Sequence, residues 1–144
     1  MRYPTHLQHK PIIGVDDYDL VDGMYAGHSD AKALSIGRAQ YDENHISAKI
    51  WRHDGNWKRT SEEMPLHRVL DLAALIVSLY HPQNLPSPLN NYHQTHAAHL
   101  SPRIQTDAAG NDDMQTLYDY LVANDAHLRP RLKELKTLLD GLNI

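Results

Sequence analysis

Cysteine and phenylalanine are both absent from this 144-residue chain. Without cysteine there is no disulfide staple, no thiolate nucleophile and no cysteine-ligated zinc. Basic residues are outnumbered: 14 Lys and Arg stand against 18 Asp and Glu, a formal net charge of -4. That balance argues against general nucleic-acid binding, whose affinity comes largely from neutralising phosphates. The longest apolar run, residues 69–80, is interrupted by Asp71 and is too short for a bilayer. Met1-Arg2-Tyr3-Pro4-Thr5-His6 is followed by polar residues, with no apolar signal core. A cytoplasmic protein with no membrane association is therefore expected. Neither glycine-rich phosphate loop occurs, nor does a G-x-S-x-G or an H-E-x-x-H motif.

What the chain does have is 11 His, 8 Tyr and 2 Trp. Its length suits one ordinary domain, residues 1–144, large enough to bury a core. The pattern predicts an α+β fold. Residues 12–15 read as a short buried or edge strand between turn-formers. An acidic loop follows over residues 16–30; it lacks the Asp-x-Asp-x-Asp-Gly order and closing Glu of a calcium loop. Residues 33–41, 45–53 and 56–60 read as an antiparallel meander. Asp42-Glu43-Asn44 would make its first turn and Asp54-Gly55 its second. Parity puts Leu34, Ile36, Ile46, Ala48, Ile50 and Trp57 on one face, the expected core face, with Ile36 opposite Ile50. Lys49, Trp51 and His53 then face the other way.

A helix over residues 65–80 comes next, opened by Pro65 and apolar around nearly its whole circumference, so it is expected to be buried against the meander. Residues 82–110 form a long Pro- and His-rich loop. The end reads as a helical hairpin, with Asn111 as the first N-cap, Pro130 opening the second helix and Gly141 stopping it. The expected architecture is thus a three- to four-stranded antiparallel meander on a buried central helix, completed by a C-terminal helical hairpin.

Two clusters have residue types that carry chemistry. His93, His96 and His99 recur at every third position, and three imidazoles with a carboxylate are a sufficient set for an open zinc site. The spacing is not the usual helical H-x-x-x-H, and a polar surface loop is the plainer explanation. His67, Arg68 and Asp71 lie at the polar end of the central helix. His67 and Asp71, four apart, are spaced to pair, and Arg68 beside them is suited to hold an anion. The alternative is a structural salt-bridge network tying helix to sheet.

Three functional readings follow. The first is a non-enzymatic binding or interaction protein working as a homodimer or other homo-oligomer, with a small ligand or a protein as partner; it draws on the absent catalytic motifs and the surplus of aromatic and leucine surface. The second is a zinc-dependent hydrolase or metal-binding protein using His93, His96 and His99. The third is an anion-binding site at His67, Arg68 and Asp71.

Overall fold

Alternation of β-branched and small residues over the first third of the chain yields antiparallel strands. The computed structural model describes residues 1–81, 100, 102 and 110–144. It divides into two compact units, Met1–Leu70 and Asp71–Ile144. The fold is α+β: a four-stranded antiparallel sheet in the order β1-β2-β3-β4, with helices that include a C-terminal pair.

The strands are β1 (Lys10–Val15), β2 (Ala31–Arg38), β3 (Ile46–Arg52) and β4 (Glu63–Pro65). The short run at residues 12–15 does extend the meander, pairing with β2 through a bulge between Pro11 and Ile13. Gly37 is what lets β1 lie so close. A Cβ on it would stand 2.0 Å from the Lys10 carbonyl oxygen, which only glycine avoids.

In the first hairpin Leu34 faces Ile50 and Ile36 faces Ala48. The register is two residues away from the expected one, because the strands stop at Arg38 and Ile46 and leave a longer connection. Ala39 N–H still bonds the His45 carbonyl, and an Asx turn at Asp42 closes the tip. A shift of two preserves the faces, so Leu34, Ile36, Ala48 and Ile50 share one side as expected.

The second turn departs by one residue, and there the faces do change. Asp54, Gly55 (φ 77°) and Asn56 form a three-residue turn, bridged by His53 opposite Trp57. Trp57 therefore crosses to the side of Trp51, the two rings packing edge to face at 6.0 Å. Residues 56–60 do not form the third meander strand. That place is taken by β4, which aligns Glu63 with Lys49 and Met64 with Ala48.

The core lies on the face opposite to the expected one. Ala31, Ala33, Ser35, Ser47, Lys49 and Trp51 are all buried, Trp51 completely. Ile36 and Ile46, by contrast, are exposed. The buried face is covered by His9, by Trp57 and by the backbone of residues 59–61, to which Lys49 Nζ donates two hydrogen bonds. The apolar face of Leu34, Ile36, Ala48 and Ile50, with Ile13, Val15 and Met64, instead lines a cavity of about 590 Å³.

Helix α1 (Leu66–Leu79) starts one residue after Pro65, which belongs to β4. None of its residues is fully buried, and Leu70 is 68 % exposed, so its apolar circumference exceeds what the described residues cover. In the second unit α2 (Gly110–Ala123) and α3 (Asp125–Asp140) form the helical hairpin. Its break falls at Asn124, not at Pro130, which sits inside α3. Asn124 accepts from His127 N–H and Leu128 N–H and so starts α3 early. Pro130 lies just past the first turn, where the missing N–H costs one backbone bond. Among the described residues no helix is long and apolar enough to cross a membrane.

Candidate functional site

The chemistry-bearing residues of the first unit converge beneath the buried face of the sheet. His9, just before β1, is 1 % exposed and packs edge-on to Trp51 at 5.6 Å. Register places Ser35 on β2, Ser47 on β3 and Glu63 on β4 around it. Trp51 Nε1–H donates to Ser35 Oγ at 2.9 Å, and an indole can only donate. The Ser35 hydrogen is then directed to His9 Nε2, also at 2.9 Å, which makes Nδ1 the protonated ring nitrogen. Nδ1–H donates to Glu63 Oε1 at 3.1 Å, and Ser47 Oγ–H donates to the same oxygen at 2.7 Å. The backbone N–H of Gln40 adds a third bond to Oε1 at 3.0 Å.

The electrostatics agree with this direction of donation. Burial pushes the His9 imidazole below its ordinary value; the hydrogen bond and charge of Glu63 oppose this, and Lys49 adds to the lowering. His9 is therefore neutral at pH 7. Burial pushes the Glu63 carboxyl up, but Ser47, the Gln40 N–H and His9 outweigh it, and the group ends below the usual carboxylate range. Lys49 is pushed down by burial, with Glu63 and Glu62 opposing, and stands 5.0 Å from the Trp51 ring centre.

Ser35, His9 and Glu63 follow one another in the order of a serine–histidine–acid relay. Ser35 is nevertheless not a nucleophile in this arrangement: it is buried, and Trp51 already occupies its oxygen. The relay is a polar core element that locks His9 and Glu63 in place. What it leaves over is one atom. Glu63 Oε2 is buried, and no described residue hydrogen-bonds to it. The Glu63 side chain is only 4 % exposed, so this is a buried carboxylate with three bonds on one oxygen and none on the other.

Glu63 also lines an open groove of about 940 Å³ at the junction of β4 and α1. Tyr41, Asp42 and His45 enter it from the β2–β3 connection, and His67 and Arg68 from the first turn of α1. Asp42 and His45 face each other at 3.6 Å. His67 and Arg68 are exposed, and Arg68 has no hydrogen-bond or ion-pair partner among the described residues. The expected helix-end cluster is thus brought together in part: His67 and Arg68 line the groove, while half-buried Asp71 is not among its lining residues. His93, His96 and His99 lie outside the described residues. Among the described residues no group of histidine and acid side chains is arranged to hold a metal ion.

Sequence reasoning missed His9, Ser35 and Ser47, and placed Glu63 near Arg68 with no part in a buried network. The one signal for them was Trp51, a large aromatic assigned to a solvent face; such a misfit shows that the face is covered.

Comparison with known proteins brings one match. The chain belongs to DUF6530, a family of unknown function whose model matches residues 1–144. No curated protein and no solved structure matches it.

Proposed function

Since membership of that family carries no activity with it, we propose from the geometry that this protein binds a small anionic ligand in the groove at the β4–α1 junction. The observation that carries the reading is Arg68: an exposed guanidinium, unpaired among the described residues, next to His67 in a concave site. Arg suits this task, because its planar fork matches carboxylate and phosphate oxygens two at a time. The test is thermal stability and calorimetric titration with phosphate and with simple carboxylates, on the wild type and on Arg68→Ala. Stabilisation that weakens with added salt and disappears in the variant is expected. Equal stabilisation of both proteins would remove the reading. Arg68 is exposed, so its replacement leaves the fold intact.

A second reading, a homo-oligomer, is favoured by the exposed apolar side chains Ile13, Val15 and Ile36, which belong to one sheet face. Light scattering across a concentration series is the check. A monomer at all concentrations, unchanged by Ile36→Lys, would remove it.

A further inference from the structure

The groove is far larger than a bare anion. At about 940 Å³ it lies in the range of about 300–1,000 Å³ typical of sites that take whole organic molecules, whereas phosphate or acetate fills a small fraction of it. Its two sides also differ in chemistry. The α1 side carries His67 and Arg68. The β2–β3 side carries Tyr41, Asp42 and His45, with the Tyr41 and His45 rings packed edge to face at 6.2 Å. Tyr41 is 51 % exposed, and the exposed side chains of Ile46 and Leu66 add apolar surface to the same groove. Asp42 repels an anion from the aromatic side, so the charge of a ligand goes to Arg68 and its body toward the rings. The α1 side in turn suits a phosphoryl group better than a carboxylate. A guanidinium takes two oxygens in its fork, and a carboxylate has no more to offer. A phosphate monoester has a third free oxygen, and His67, next in the chain, supplies a further donor.

We infer that the ligand is an aromatic ester of phosphoric acid, its phosphoryl group held by Arg68 and His67 and its ring stacked against Tyr41. This rests on the anion-binding reading and adds the aromatic body to it.

The experiment titrates the full-length protein with inorganic phosphate, phenyl phosphate and benzoate. Wild-type affinity is expected to rise at least about tenfold from inorganic phosphate to phenyl phosphate, within the range that stacking on an aromatic side chain contributes. Tyr41→Leu keeps apolar bulk and should bring that ratio close to one, whereas Arg68→Ala should weaken all three ligands. His67→Ala should weaken phenyl phosphate and leave benzoate unchanged. Equal wild-type affinity for phenyl phosphate and inorganic phosphate, or a ratio unchanged in Tyr41→Leu, would overturn the inference and leave the anion site standing. Benzoate binding as tightly as phenyl phosphate would do the same. Failure of all three anions to bind would overturn both readings. Tyr41, His67 and Arg68 are exposed, so the variants keep the fold.

Discussion

Removing the His9 ring should cost more than an exposed histidine can. Two hydrogen bonds go with it: Nδ1–H to a carboxylate, about 1.5–3 kcal/mol, and the bond from Ser35, about 0.5–1.5 kcal/mol. The edge-on contact with Trp51 adds about 0.5–1.5 kcal/mol. His9→Ala should therefore lose about 3–5 kcal/mol, a large part of a stability that is typically about 5–15 kcal/mol. His9→Asn keeps a donor near the Nδ1 position and should lose less. The two proteins should also differ in pH dependence. Burial holds the folded imidazole below its ordinary value of 6.5, so on acidification the unfolded chain takes up the proton first. Stability is then full above about pH 6.5 and falls as pH drops toward the folded value, by up to about 1.4 kcal/mol per pH unit. Urea unfolding of the wild type and His9→Asn between neutral pH and pH 5 isolates that slope, because the other histidines are common to both. A loss below about 1 kcal/mol in His9→Ala, or parallel pH profiles for wild type and His9→Asn, would refute the relay.

Gly37→Ala forces a Cβ against the Lys10 carbonyl and the Pro11 backbone, so β1 must move; a loss of about 2 kcal/mol or more is expected by chemical denaturation, and a neutral result would contradict the strand spacing. If His93, His96 and His99 hold zinc, near-stoichiometric metal co-purifies with tag-free protein and is lost in His96→Ala. Metal-free protein, indifferent to chelator and to that substitution, removes the zinc reading.

The architecture was legible where local pattern and tertiary context agree. Leu34, Ile36, Ala48 and Ile50 alternate cleanly, and their sharing of a face survives a register change of two residues. Leu66–Leu79 is helical behind Pro65, as its long apolar run predicts, and the C-terminal hairpin appears with only its hinge moved, from Pro130 to Asn124. What could not be read was which face of the sheet is covered. Periodicity distinguishes two faces but ranks them only by apolarity, and here apolarity gives the wrong order. Ser35, Ser47 and Lys49 look like a solvated face until His9, Glu63 and the carbonyls of Arg59 and Ser61 arrive to satisfy them. Those partners lie far away in sequence, and no local window contains them.

The same fact explains why the candidate site was only half visible. His67 and Arg68 are neighbours in the chain and could be picked out, with Asp71, from helical spacing alone. Glu63 stands in the sequence as acid ahead of a helix, close enough to reach Arg68; its buried role depends on strand pairing. Only when β4 aligns Glu63 with Lys49 and beside Ser47 does the carboxylate enter the core with one oxygen fully engaged. A buried network in which every donor is committed fixes its members in one geometry. The Glu63 carboxylate is therefore held rigidly, with Oε2 closed off from solvent. The polar core is in this sense one unit: the relay from Trp51 through Ser35 and His9 sets the position of the Glu63 carboxylate.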